Sequence, residues 1–325
     1  MADRKILTDI ASVAWEHPAD RAALNALRAI PMFDEVVKKV VGFFGDTGVR
    51  NLFLANAVRV GAKQRPALDA LYDEVVKTLD CPTRPPLYVT QTPFANAGAI
   101  GFNEPFIVIN SGTFALMNRE EQRFVLAHEV GHVMSGHVIY RTLAAILILV
   151  GLRGLPFLAG IALLPIQVAL FEWYRKSELS SDRAGLLGSQ SRDDTLMAFL
   201  KFAGGGGDGD TIDLDEFMRQ AAEYETEGGA WDAVTKVLNT VFREHPFHTV
   251  RAAELERWIA GGTYAKILAG EYPKRSDATQ KPLEEDFADA ASYYGEQARA
   301  AVSKVSDMLG RAKSAFEDAF KGARR

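Results

Sequence analysis

The sequence predicts an α+β protein that is mostly helical and contains a small β-sheet. Two observations lead to this prediction. Several segments repeat apolar residues at helical spacing, and two short β-branched runs lie between turn residues. The chain has 325 residues, 48% hydrophobic and 24% charged, which is enough for one large domain or two of average size. We therefore expect a folded globular chain rather than a disordered one.

The first sixty residues are expected to be helical. One helix begins near Pro18, and Pro31 should stop or kink it; a second apolar pattern starts at Phe33. Residues 42–48 superficially suggest a phosphate-binding loop, but the Lys-Ser/Thr ending is missing, so we interpret them as a turn. No secretory signal is evident, because charged residues interrupt the N-terminus before an apolar segment of sufficient length.

The strands are expected after a helix that begins at Pro66. Residues 87–90 and 106–110 are the two strand-like runs. Between them Asn96, Ala97 and Gly98 begin a run of small residues, which lets another backbone approach closely. This run is either a sheet edge that binds an extended peptide or merely a glycine-rich connection.

Two further segments are apolar or amphipathic. Residues 142–171 are uncharged except for Arg153 and predict a helical hairpin, either dipping into a membrane or buried against protein. The last helix of the chain carries an apolar stripe and, from Arg299 onward, a net charge of +4. It either rests on an anionic membrane or partner helix, or packs on this chain.

Charge and cysteine content exclude some classes of protein. The net charge of −5 argues against a nucleic-acid partner, because such proteins usually carry a basic excess. The single cysteine, Cys81, excludes an internal disulfide and any cysteine-based zinc cluster. With no secretory signal, we expect a cytoplasmic location, with association with the inner face of the cell membrane left open by the hairpin.

The most informative segment is His128-Glu-Val-Gly-His132. It lies on a predicted helix whose start is marked by Asn118 and Glu121, which resemble a capping box. Histidines at i and i+4 face the same way and can both bind one metal ion. Glu129 lies beside them, where it can take a proton from bound water.

A catalytic zinc normally has three protein ligands, so a further ligand is required. Glu178 and Asp182 are again at i and i+4 on a predicted helix. Glu178 is the candidate third ligand, and Asp182 can accept the second ring N–H of a ligand histidine. Alone, such a pair is usually a solvated helix face; after the histidine motif we favour the metal site.

The combination resembles a gluzincin, and more closely the HtpX-like and CAAX-prenyl-protease-like zinc endopeptidases. The resemblance implies a zincin-like catalytic domain with one Zn²⁺ on His128, His132 and Glu178, Glu129 as general base, and Asp182 orienting a ligand histidine. From its organisation we expect the chain to have three regions: a helical N-terminal extension (1–60), a metallopeptidase domain (61–270) containing the hairpin, and a C-terminal tail (271–325). The matching segments are residues 96–101, 106–112, 126–138, 174–185 and 244–255.

The resemblance also suggests that His245 and Arg251 face the active site, where they would stabilise an oxyanion. Without the resemblance, we would place His245 at a loop cap and pair Arg251 with a carboxylate. His248 is a lesser rival for the same role. His137 is expected to point to another face of the helix and to be structural, and His17 to be an ordinary surface residue.

The function predicted from these residues is zinc-dependent endopeptidase activity on protein or peptide substrates, by Glu-assisted attack of zinc-bound water, in a role such as protein quality control. The alternative is a membrane-peripheral scaffold or chaperone-like module with a structural or vestigial zinc site. The hairpin and the C-terminal helix are the places where either protein would touch a membrane. The intact Glu129 favours the enzyme, because a structural site needs no general base.

Overall fold

The computed structural model describes residues 4–150, 158, 163–205, 211–226 and 247–277. Within them, helices surround one small sheet, so the prediction of a mostly helical α+β fold is confirmed. His245, the middle of the hairpin, and the tail from residue 278, with its amphipathic helix, lie outside the described residues. The helices are α1 (Pro18–Arg28), α2 (Phe33–Leu54), α3 (Pro66–Thr78), α4 (Ser111–Leu116), α5 (Arg119–Met134), α6 (Val138–Val150), α7 (Leu163–Ser189), α8 (Arg192–Ala203), α9 (Leu214–Thr226), α10 (His248–Ala260) and α11 (Thr263–Ala269); the strands are β1 (Ala57–Arg59), β2 (Leu87–Thr90), β3 (Ala97–Ile100) and β4 (Phe106–Asn110).

The N-terminal helix α1 has the bounds that its prolines predict, whereas α2 contains a kink. α1 begins at Pro18, where a missing N–H costs nothing, and ends before Pro31. The prediction of a turn at residues 42–48 is confirmed in part, because α2 consists of two helical pieces separated by a kink at Gly45. Gly45 has φ 58° and ψ 179°, a conformation available to glycine, so the helix breaks at one residue and resumes without a separate turn.

The sheet has four strands in the order β1-β2-β4-β3. β2 and β4 are parallel, and they are the two strands that the sequence predicts. β1 and β3 pair antiparallel to them at the two edges. The small-residue run therefore contains an edge strand, β3, rather than only a connection, and β3 packs against α5 and α6.

α5 and α7 form the most extensive helix–helix interface among the described elements. α5 starts with the predicted capping box, since Asn118 Oδ1 accepts the N–H of Glu121 and the Glu121 carboxylate accepts the N–H of Asn118. α5 and α7 run antiparallel, and glycines at their crossing let the two helices approach closely. A Cβ on Gly131 would lie 2.5 Å from the Cβ of Ala184, and one on Gly188 would lie 2.3 Å from the Cβ of Ala127.

The apolar hairpin corresponds to α6 and the first part of α7. Their buried side chains pack with α1 and α2 in a second apolar cluster, separate from the main core around the sheet, α3, α5 and α8. Among the described residues, we find no helix that combines the length and the hydropathy needed to span a bilayer.

Candidate metal centre

Three predicted ligands meet at the crossing of α5 and α7. His128 and His132 lie one turn apart on α5, and Glu178 faces them from α7. The two Nε2 atoms are 3.1 Å apart; a Glu178 oxygen lies 3.3 Å from Nε2 of His132, and its other oxygen lies 3.6 Å from Nε2 of His128. All three side chains are buried.

This arrangement fits a tetrahedral zinc ion. Ligand bonds of about 2.0–2.1 Å at tetrahedral angles place neighbouring ligand atoms roughly 3.3 Å apart. The two Nε2 atoms are 3.1 Å apart, and each lies 3.3 or 3.6 Å from a different oxygen of the Glu178 carboxylate, so the side chains converge at close to that spacing. Two imidazoles and one carboxylate are also a donor set that zinc prefers when one position stays open for substrate or water.

Asp182 lies one turn beyond Glu178 and contacts His128 from behind. Its Oδ1 is 3.0 Å from Nδ1 of His128, the nitrogen that does not face the other ligands. Arg251 of α10 holds the same carboxylate with a two-pronged contact, in which Nε donates to Oδ2 at 2.8 Å and Nη2 donates to Oδ1. Nη1 of Arg251 lies 3.4 Å from Glu178. Arg251 thus links both acidic residues of α7.

The two ligand histidines differ in their protonation. Burial by itself lowers the pKa of His128, but hydrogen bonds to Asp182 and Glu178 outweigh it and raise this pKa to about 9. For His132, burial lowers the pKa well below its ordinary value, and the charge of Arg141 acts in the same direction. His132 is therefore neutral, whereas His128 must lose a proton when a metal binds.

Glu129 faces the same cavity as the candidate ligands. It is buried, lines the cavity in front of the ligands, and lies between them in the chain. Its Oε2 has no hydrogen-bond partner among the described residues. A buried carboxylate oxygen without a partner is costly, which indicates an atom reserved for a group that binds in this cavity.

The sequence did not predict Arg141 as part of the site. Arg141 is buried and donates through Nη1 to Oε1 of Glu178, and its guanidinium lies over the ring of Tyr174, 4.2 Å from the centroid. The available signal was a single arginine at the start of a long apolar segment. A charge in such a place needs a buried partner.

The expectations for His137 and His17 need correction. His137 does not point away from the site: its Nδ1 lies 3.0 Å from Nδ1 of His132. The reason is that α5 ends at Met134 and Gly136 turns the chain with φ 69°, so the helical rotation no longer applies. His17 is not a surface residue but is buried, with Nδ1 accepting the N–H of Ala19 at the start of α1.

An open cavity of about 290 Å³ lies against the candidate ligands. One side is the segment leading into β3, where Asn96 and Ala97 line the cavity; Gly98 follows within the edge strand. The remaining lining is largely aromatic or apolar, and Phe94, at the rim, is 77% exposed. The lining residues are Phe94, Ala95, Asn96, Ala97, Phe124, Val125, His128, Glu129, Glu178, Phe202, His248 and Arg251.

The other candidate histidine is His248, at the first position of α10. Its ring stacks on Phe202, with centroids 5.5 Å apart and an interplanar angle of 17°, and it lines the cavity together with Arg251. His248 and Arg251 are thus both within the described wall of the cavity.

Comparison with known proteins gives a consistent result. Residues 62–259 match the model of Peptidase family M48. The plastoglobule-localized metallopeptidase 48 of Arabidopsis thaliana is 30% identical over 81% of this chain and 77% of its own length. A protease HtpX homolog of Lactobacillus helveticus is 28% identical over 40% of each chain, and protease HtpX of Acinetobacter baumannii is 44% identical over 16% of this chain and 17% of its own. No solved structure matches.

Proposed function

Because the chain belongs to peptidase family M48 and is a metalloprotease, we propose that it is a zinc-dependent endopeptidase acting on extended segments of protein substrates. His128, His132 and Glu178 would hold the ion. The observation that carries the proposal is the convergence of the two Nε2 atoms and the Glu178 carboxylate beside Glu129, at separations close to those of a tetrahedral zinc site.

In the proposed reaction each residue of the site has a separate role. When bound, Zn²⁺ supplies a Lewis acid that polarises a peptide carbonyl and lowers the pKa of water. Glu129 takes the proton of the attacking water on Oε2 and delivers it to the leaving amine. Asp182, with Oδ1 at 3.0 Å from Nδ1 of His128, would hold the ring so that Nε2 is available to the ion. Arg251 holds Asp182. Together with His245, the side of Arg251 that faces the cavity would stabilise the negative charge that develops on the carbonyl oxygen.

The edge of the sheet indicates how the substrate binds. β3 is the last strand of the described sheet and approaches the cavity through Asn96 and Ala97. Backbone groups on the free edge of β3, beginning at Ala97, would hold a peptide in extended form with little dependence on its sequence, whereas the backbone of Asn96 already pairs with Asn110 and Thr113. The aromatic side chains of Phe94 and Phe202 suit an apolar substrate residue. Non-native proteins offer extended apolar segments, which supports a role in protein quality control.

The decisive experiment compares wild type with Glu129→Gln and Glu178→Gln. We expect wild type and Glu129→Gln to bind one zinc per chain, and Glu129→Gln to cleave unfolded casein at least ~100-fold more slowly. Glu178→Gln should lose both zinc and activity. An N-acetylated peptide cut internally would distinguish endopeptidase from aminopeptidase action. Zinc binding with equally poor cleavage by wild type and Glu129→Gln would instead support the scaffold alternative.

We further propose that the hairpin contacts a membrane surface peripherally, at the cytoplasmic face. Ile148 of α6 and Val168 of α7 each expose 46% of their surface, and both lie in uncharged segments, residues 142–150 and 163–171. In sedimentation with anionic lipid vesicles, the intact chain should pellet and the double variant Ile148→Asn/Val168→Asn should not. Val58→Asn, at a similarly exposed position on β1, is the matched control and should pellet like wild type. Equal pelleting of all three would contradict the proposal.

A further inference from the structure

A buried chain of side chains connects His132 to the N-terminal helix α1. Nδ1 of His132 lies 3.0 Å from Nδ1 of His137, and Nε2 of His137 lies 3.0 Å from Oδ2 of Asp20. Ser180 of α7 donates its hydroxyl to the same carboxylate oxygen at 2.6 Å. All four side chains are buried, so water does not screen the contacts between them.

The chemistry of these groups assigns a direction to the chain of hydrogen bonds. An imidazole that binds a metal through Nε2 carries its proton on Nδ1, so His132 must donate to Nδ1 of His137. His137 then carries its own proton on Nε2 and donates it to Asp20. An ionised carboxylate only accepts hydrogen bonds, so Asp20 favours the tautomer of His137 that carries its proton on Nε2. In the other tautomer the proton would be on Nδ1, and the two facing Nδ1 atoms of His132 and His137 would both carry protons.

We infer that Asp20, acting through His137, is a positioning residue that fixes the tautomer and orientation of the candidate metal ligand His132. The inference rests on the proposed function. Each ligand histidine then has a carboxylate behind it: His128 contacts Asp182 directly, and His132 reaches Asp20 through one imidazole. α1 lies outside residues 62–259, which match the family model, so a segment beyond that match completes the metal centre.

The alternative is that the buried contacts only hold α1 against α7. Asp20→Asn separates the two interpretations, because it keeps the size of the side chain but removes the charge that orders the chain. Leu27→Ala is the matched control: Leu27 is a fully buried residue of α1 without a role in the chain of hydrogen bonds, so its loss weakens the packing of α1 alone.

The first measurement is the rate at which the zinc-loaded protein releases its ion to a chromophoric chelator. We expect release from Asp20→Asn to be about 10–100-fold faster than from wild type. Release from Leu27→Ala should match wild type even if the metal-free protein unfolds at a lower temperature. The visible spectrum of the Co²⁺-substituted protein should change in Asp20→Asn and not in Leu27→Ala. Unchanged release and spectrum in a folded Asp20→Asn would overturn the inference.

A second pair of variants keeps the test usable if Asp20→Asn does not fold. His137→Gln retains an oxygen that can accept the proton of His132, whereas His137→Phe retains bulk and removes the acceptor. We expect the glutamine variant to release zinc several-fold more slowly than the phenylalanine variant; equal rates would contradict the inference. Failure of the proposed function is distinguishable, because zinc binding would then be insensitive to Glu178→Gln.

Discussion

At the scale of single residues, Asp182 contacts two side chains, a candidate ligand histidine and a buried arginine, in different ways. His128 requires an acceptor for its Nδ1–H, and the buried guanidinium of Arg251 requires a counter-charge. Together, His128 and Arg251 keep the pKa of Asp182 below its ordinary value, although burial acts in the opposite direction. A neutral side chain at this position would satisfy the geometry but not the charge.

We therefore predict that Asp182→Asn lowers the affinity for zinc by about 10–100-fold, because the amide holds the imidazole less firmly and leaves Arg251 without its counter-charge. A competition titration against a chelator of known affinity measures the change. Asp193→Asn, an exposed aspartate on α8, is the control and should bind zinc like wild type. Equal affinities of the two variants would contradict the proposed contact.

At the scale of secondary-structure elements, the site depends on the distance between α5 and α7. The ligands come from both helices, and Gly131 allows the helices to approach until a Cβ there would lie 2.5 Å from that of Ala184. Real Cβ atoms do not approach so closely, so any larger residue must push the helices apart. Glu178, on the opposite helix, would move with that displacement.

Gly131→Ala should therefore destabilise the protein by about 1–3 kcal/mol, the usual cost of overpacking, even though alanine favours helices. It should also weaken zinc binding. Gly42→Ala, in α2, has no atom within 4 Å of the added Cβ and should be neutral or slightly stabilising. Chemical denaturation of both metal-free variants provides the comparison. If Gly131→Ala were instead more stable than wild type, the crossing of α5 and α7 would have space for the added methyl group.

Asp46 connects α2 to the loop between β3 and β4. Its Oδ1 accepts the backbone N–H of Phe102 at 3.0 Å, Asn103 at 3.1 Å and Glu104 at 3.3 Å. Although partial burial acts to raise the pKa of this carboxyl, these hydrogen bonds outweigh it and lower the pKa. The carboxylate thus contributes more to folding when it is ionised.

Because the pKa of Asp46 is lower in the folded state, its contribution is present above about pH 4, the ordinary aspartate value, and is lost as the pH falls through the folded-state pKa. We predict that Asp46→Asn lowers the free energy of unfolding by roughly 1 kcal/mol at pH 7 and by less at pH 3. Urea denaturation at the two pH values measures the difference. A gap that widens at pH 3 would refute this account.

At the scale of the whole molecule, the candidate metal centre joins parts that lie far apart in the chain. α5 and α7 supply the ligands, and α10 supplies Arg251. The described ends also meet, since Ile10 forms a β-bridge with Lys274 and Arg275 contacts Asp9. A ligand that binds only the folded arrangement stabilises all of these contacts together.

We predict that zinc at 100 times its dissociation constant stabilises the folded state by about 2.7 kcal/mol, which corresponds to a rise in melting temperature on the order of 5 °C. A chelator should reverse the rise. Calorimetry of the wild type with zinc, and of Glu178→Gln with the same zinc, provides the measurement and its control. An equal rise in both would place the stabilising ion elsewhere.

Local signals were sufficient for much of the fold. The capping box at Asn118 and Glu121, the strands at residues 87–90 and 106–110, and the start of the helix at Pro66 follow from residues adjacent in the chain, and the structure confirms them. The turn expected at residues 42–48 is a kink at one residue, because a single glycine can break a helix without a longer loop. The boundaries of the predicted regions stay predictions.

The sequence by itself determined the family resemblance, the secondary structure around the histidine motif, and the candidate ligand set, because i and i+4 spacing on a helix places side chains on one face. Apart from Asp182, which the sequence already placed behind a ligand histidine, only the tertiary structure decided what lies behind the ligands. His137, Asp20, Arg141 and Arg251 approach the centre across turns and from other helices. Contacts of that kind depend on how the elements pack rather than on local spacing, so no local pattern encodes them.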